Sequence, residues 1–316
     1  MNLCIRSLVV AALFLTTSLQ AEILILRGSN QDFIDFSSFY AKEIPTDLGP
    51  VTEREIDSNT VKENLYRNIQ AAKPRLIVAL DNRSVNLIKQ LIDDNKILPP
   101  VLASMALNLK HALSDYQDYI AGLGYEVSGY SIVSELNKIV DQKFRKIKVL
   151  YRKSLFHDQI VDAYRQLKRE NVEIVAINVE DDDQSKMNKK ISRALEADKG
   201  EDAVWLILDN KIINKSNFSS IWLKYARSEK KPVICGVQKF AQPPINLCTF
   251  AAYPNIGDLA RHLAEMSMGV LEDELTPDEI GVEYSVSSKK VIRTKQLNSV
   301  ERKVVNKRID FLEVID

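Results

Sequence analysis

The chain has 316 residues, with 43 basic against 43 acidic side chains and 45% apolar residues. That length is large for a single core and predicts two domains, while the charge balance argues against nucleic acid as a partner. Three cysteines are too few for a disulfide scaffold, so the hydrophobic core must carry the fold.

The chain opens Met-Asn-Leu-Cys-Ile-Arg, continues with the apolar run Ser7–Leu15, and reaches a small residue at Ala21. A basic start, a short apolar core and a small residue describe a secretory signal at 1–21, so the protein is expected to be periplasmic. The apolar run is shorter than the roughly 20 residues of a membrane-spanning helix. Loss of Arg6 with the leader puts the mature chain at about −1. Cys4 leaves with it, and Cys235 and Cys248 remain, either bridged or as two buried thiols.

From Glu22 the pattern alternates. Glu22–Arg27 reads as a strand and Asp32–Lys42 as a helix. Val51–Ile56 is a weak strand, and Thr60–Lys73 a helix with a capping box of Thr60 and Glu63, stopped by Pro74. Leu76–Leu80 is a strand, Ser84–Asn95 a helix and Pro100–Ser104 a strand. The pattern falters from Asn108 to Gly129, with Tyr125–Ser131 read as a strand leaving the first domain.

The beat resumes with a helix at Ser134–Phe144 and a strand at Ile147–Tyr151. A helix at Asp158–Glu170, a strand at Glu173–Asn178 and a helix at Met187–Ala197 follow. Then come a strand at Ala203–Leu208, the helical stretch Ile213–Arg227 and a strand at Val233–Gly236. A long helix at Pro254–Glu274, strand-like Val282–Val286 and Lys289–Arg293, and a polar tail end the chain. Apolar strands between amphipathic helices predict an α/β protein with two doubly wound, Rossmann-like lobes. Parallel sheets form each lobe, and crossover hinge strands join them.

In such sheets ligands sit beyond the carboxyl ends of the strands. Ser29, Asp81, Asn82, Ser104, Arg152 and Asp209 stand there and are the candidate ligand contacts. Asp209 suits an ammonium, and helix N-termini suit a carboxylate. Each of these residue types is also favoured as an ordinary cap or turn. Catalytic signatures are missing. His111, His157 and His262 are scattered, Gly122-Leu-Gly124 lacks a third glycine, and no phosphate-binding loop or nucleophile elbow occurs. The acidic run Glu180–Asp183 lies between a strand and a helix, where carboxylates favour the helix start. The chain therefore reads as a non-enzyme without metal or cofactor.

Several segments resemble the ABC-transporter substrate-binding proteins of the type I periplasmic class, in the group with tryptophan- and tyrosine-binding members. Lys146-Ile-Lys-Val-Leu-Tyr-Arg-Lys-Ser154 is similar to that family's "I-G-V-L-Y-N-P-S". Leu208-Asp-Asn210 is similar to "T-D-N", and Lys231–Gly236 to "I-P-V-F-G". Tyr253–Glu274 resembles the family's long helix, and Lys73–Leu80 its "x-P-D-L-I-V-A-L-G-T". The resemblance implies capture of a small polar solute, an amino-acid-like one among the candidates, in the interlobe cleft for an ABC importer with a membrane permease. It also implies interleaved lobes, one of residues 22–129 plus 254–281 and the other of 130–253 plus 282–316. Asp81-Asn82-Arg83 replaces the family's small pair and Arg152-Lys153-Ser154 its "Asn-Pro-Ser". These departures keep open a sensor or adaptor that signals to a membrane partner.

Overall fold

The computed structural model describes residues 22–228, 231–284 and 287–315. The expected leader at 1–21 lies outside them, as do Ser285 and Val286 of the expected strand Val282–Val286.

The first half supplies β1 (Ile23–Arg27), α1 (Gln31–Glu43), β2 (Val51–Glu55), α2 (Lys62–Ala72), β3 (Leu76–Leu80), α3 (Asn82–Asp93), β4 (Val101–Ser104), α4 (Leu109–Ala112) and β5 (Ile120–Gly124). Strand β3, Leu-Ile-Val-Ala-Leu, is buried along its whole length, as expected for a parallel strand covered on both faces. Each large apolar side chain so removed from water contributes about 1.5–3 kcal/mol before the entropy of ordering is counted.

The second half continues with α5 (Gly129–Ile139), β6 (Lys146–Tyr151), α6 (Lys153–Arg169), β7 (Glu173–Asn178), α7 (Gln184–Glu196) and β8 (Ala203–Leu206). A wide helical turn at Phe218–Leu223 leads into α8 (Lys224–Arg227), followed by β9 (Val233–Cys235), α9 (Gln238–Ala241) and β10 (Phe250–Pro254). The chain ends with α10 (Ile256–Leu271), α11 (Pro277–Ile280), β11 (Val282–Tyr284), β12 (Ser288–Arg293), α12 (Thr294–Asn298) and β13 (Leu312–Ile315).

Two sheets result. The first runs β11-β5-β4-β3-β1-β2 and the second β13-β12-β10-β9-β8-β6-β7. Among the described residues all pairings between these strands are parallel except β10 with β12. The first five strands of each half repeat one order, in which the first strand lies between the second and the third. Apolar clusters cover both faces of each sheet, and α10 packs with β1, β3 and α1 on the first. The polypeptide passes between the sheets after Gly124, returns after Pro254, and crosses again between Tyr284 and Ser288.

Several local expectations are corrected. The capping box of Thr60 and Glu63 does not form. The Thr60 hydroxyl instead accepts from the Asp57 N–H at 3.0 Å and donates to the Asp57 carboxylate at 2.7 Å, and α2 begins at Lys62. A short polar side chain close by captured the cap residue. A capping box does form at Thr276 and Glu279, at the start of α11.

The crossing strand expected at Tyr125–Ser131 is absent. Pairing stops at Gly124, and the Ser128 hydroxyl accepts the Ser131 N–H, which starts α5 five residues ahead of its expected position. Val282–Tyr284, expected with the second lobe, pairs with Gly122–Gly124 and extends the first sheet. The polar tail also forms structure. Val304, Ile309, Leu312 and Val314 pack on the second core, and β13 pairs with β12.

Candidate functional site at the facing strand ends

In each lobe the point where strand order reverses lies between the first and third strands. Such switch points open a crevice at the carboxyl ends. In the first lobe Asp81 closes that point. One carboxylate oxygen accepts from Gly28 N–H at 2.8 Å, beyond β1, and the other from Ser84 N–H at 2.7 Å, capping α3. Its backbone has φ +82°, in the region that favours glycine, so the cap is held against a conformational cost.

In the second lobe Asp209 stands one register position farther past the strand and takes a side chain instead. Arg152 Nε and Nη2 donate to its two oxygens at 2.6 and 3.0 Å, and Lys211 N–H adds a third bond at 2.8 Å. The Asp209 side chain is 1% exposed and that of Arg152 12%, so the forked pair is largely out of water. The start of α6 is also occupied. The Ser154 N–H donates to Glu180 at 3.0 Å, and Lys153 N–H reaches Asn178 at 3.4 Å. The Ser154 hydroxyl and N–H hold the Glu180 carboxyl below its ordinary range, aided by the charge of Arg152. Asp183 caps α7 through Ser185 and Lys186 N–H, and Asp181 pairs with Lys190 at 3.1 Å. The run Glu180–Asp183 thus serves helix starts.

Ser29 and Asn82 are exposed at the first lobe's strand ends, and the Asn82 amide bonds both polar backbone groups of Leu107. Ser104 is fully buried and donates to Leu123 O at 3.0 Å. Each of the six therefore stands at or just past a strand end of its own lobe. Five of them, Asp81, Asn82, Ser104, Arg152 and Asp209, already have internal partners.

The cavities between the sheets have other walls. Tyr125, Glu126 and Val127, on the first crossing, border an apolar recess of about 30 Å³ completed by Ile132, Phe156, Gln159, Trp205 and Leu208. Gly129 is required beside it, since a Cβ there would stand 2.1 Å from the Trp205 ring. Glu126 and Gln159 also line a cavity of about 200 Å³, where Lys110 and His111 of the first lobe face Asp158 and Asp162 of the second. A third cavity, about 570 Å³, opens on the other side of the crossing. There Asp32, Asp35 and Asp258 of the first lobe face Lys239 and Lys289 of the second.

The lobes touch at Asn108. Its amide donates to Leu155 O at 2.8 Å, and its N–H bonds the Glu126 carboxylate. Burial between the lobes pushes the Glu126 carboxyl up to about 7, against the lowering effect of the Asn108 N–H. Burial likewise pushes Tyr125 up to about 12, with the charges of Asp32 and Glu126 adding to it. Asn108, Glu126, Phe156, Gln159 and Trp205 were missed by reading strand ends alone. The one available signal was a lone acid among apolar residues in the crossing segment Tyr125–Val127.

Cys235 and Cys248, left open above, are joined in a disulfide with Cα atoms 6.3 Å apart. It ties the end of β9, just before Gly236 at the recess, to the loop that enters β10.

No protein-family model matches the chain, and no curated relative matches it. Solved structures do. A domain in complex with L-Trp from Streptococcus pneumonia is 14% identical over 93% of this chain and 100% of its own, with TM-score 0.59. A ligand-free, open substrate-binding protein with adhesive properties from Clostridium difficile is 16% identical over 93% and 98%, with TM-score 0.65. The XylFII–LytSN complex is 12% identical over 86% and 98%, with TM-score 0.58. A LacI transcriptional regulator from a Rhodococcus species also matches, at 9% identity and TM-score 0.53. At such identities the likeness concerns architecture, and the chain has the two-lobed α/β fold of the type I periplasmic binding proteins.

Proposed function

We propose that this protein captures a small polar solute between its lobes after export and delivers it to an ABC importer through a membrane permease. The observation that carries the reading is the pair of cavities walled by residues of both lobes, one of them reached by the crossing at Glu126 and the other at Tyr125. The Cys235–Cys248 disulfide fits an oxidising compartment, in keeping with the leader pattern at 1–21. The lobes are residues 22–129 with 254–284 and residues 130–253 with 287–315, moving about the three crossings. Ser29 and Asn82 rim the first lobe's side, and the Arg152–Asp209 pair braces the second.

The test is a thermal-shift screen of amino acids, amines, nucleosides and anions, followed by small-angle scattering. A ligand that binds only the native state raises the melting temperature, and closure lowers the radius of gyration. Failure of every class to raise the melting temperature at millimolar concentration would sink solute capture.

A second reading is a sensor or adaptor that signals to a membrane partner. The mutual neutralisation of Arg152 and Asp209 favours it, as does the XylFII–LytSN complex of similar fold. A bound ligand that leaves the radius of gyration unchanged would favour this reading over a closing trap.

A further inference from the structure

We infer that the cleft recognises a compact apolar amine, with its ammonium set between Glu126 and the Gln159 amide and its apolar group in the recess walled by Phe156 and Trp205. The inference rests on the solute-capture reading and names the ligand class. Glu126 and Gln159 stand where the apolar recess meets the larger cavity, and both line each space. The Gln159 Oε1 atom is buried without a hydrogen-bond partner, and a buried acceptor left so is costly. An ammonium supplies donors to that oxygen and a counter-charge to Glu126 in one group. One oxygen of the half-buried Glu126 carboxyl accepts from the Asn108 N–H, yet burial still raises the group, as expected where no cation is paired with it.

The alternative of an anionic ligand meets acceptors already in place at both switch points. Asp81 fills the start of α3, Glu180 and Asn178 fill that of α6, and Asp209 takes the Arg152 fork. The charged groups that line the larger cavity with Glu126 are of both signs. Lys110 and His111 approach from the first lobe and Asp158 and Asp162 from α6, while the Tyr125 and Tyr284 hydroxyls are raised partly by Glu126 itself.

The experiment uses two matched series on the whole mature protein, each keeping one carbon skeleton: isoamylamine, isovalerate and isoamyl alcohol, then phenethylamine, phenylacetate and phenethyl alcohol. Calorimetry from pH 5 to pH 8.5 reads the affinities. The amine of at least one series should bind at least tenfold more tightly than its acid and alcohol. The ammonium stays charged throughout, whereas Glu126 must be ionised to receive it. Binding should therefore strengthen as pH rises through about 7 and weaken roughly tenfold for each unit below. Glu126→Gln should lose that pH slope and weaken amine binding by about tenfold to a hundredfold at pH 8. Gln159→Met should weaken it several-fold and keep the slope.

Unchanged melting temperatures would show that both variants fold. An amine affinity and slope untouched by Glu126→Gln would overturn the inference. So would tighter binding of the acid or alcohol, which would leave solute capture standing. Silence from all six probes would overturn the inference alone if the wider screen finds a ligand, and both readings if it does not.

Discussion

At the first lobe's switch point Asp81 reaches across to a backbone N–H of Gly28, and at the second lobe's Asp209 reaches across to the side chain of Arg152. Strand order is alike in the two lobes, but the aspartate is not at the same register: the pairings carried on put Asp81 level with Gly28, and Asp209 level with Lys153, one position past Arg152. The difference lies in the residue that follows the first strand. A glycine lets the carboxylate meet bare backbone, whereas an arginine fills the gap with a cation that must then be neutralised. An aspartate beyond the third strand of each half thus serves as a helix cap in one lobe and as half of a buried ion pair in the other. A cap contributes modestly. A buried pair contributes little net, yet losing one member leaves a charge stranded.

The largest expected break follows from that asymmetry. Asp209→Ala strands the Arg152 guanidinium and should cost about 3–5 kcal/mol in urea denaturation. Removing both charges, as Arg152→Met with Asp209→Leu, should recover most of that loss. Equal losses in the single and double variants would show that the pair is not the source.

Next in size is the covalent tie that joins Cys235 to Cys248 in the second lobe, across a sequence separation of 13. Replacing both cysteines by serine should cost about 3 kcal/mol by loop entropy. Trp205 and Trp222, the two tryptophans, both lie in the second lobe's cores. Tryptophan fluorescence should therefore move to lower urea ahead of the far-ultraviolet circular dichroism, which sums both lobes. Coincident shifts would mean that the lobes unfold as one unit.

The smallest effect belongs to the first lobe. Asp81→Ala removes the acceptor for Gly28 and Ser84 and should cost about 1–2 kcal/mol, with Asp81→Gly milder because φ is +82° there. Its signature is a circular dichroism change with the tryptophan transition unmoved. An Asp209-sized loss from Asp81→Ala would erase the contrast between the lobes.

Most strands were legible in the sequence because parallel strands buried on both faces need unbroken apolar runs, as in Leu76–Leu80 and Ala203–Leu206. Helix starts were less so. Thr60 has the pattern of a cap, yet Asp57, three residues before it, holds its hydroxyl. The strand-end residues were legible as positions, but whether a carboxylate there waits for a ligand or serves the chain depends on its neighbours across the sheet. Arg152 and Asp209 are 57 residues apart, and no local pattern reports their contact.

By itself the sequence determined the α/β class, the doubling of the βα beat and the strand ends as the place where function collects. Those features follow from hydrophobic periodicity, which is local and repeats along the chain. Tertiary structure decided the return of Val282–Tyr284 to the first sheet, the pairing of Cys235 with Cys248, and the surroundings of Glu126. Each depends on segments far apart in sequence meeting in space. Burial between two lobes, which raises Glu126, exists only once both lobes are folded and facing one another.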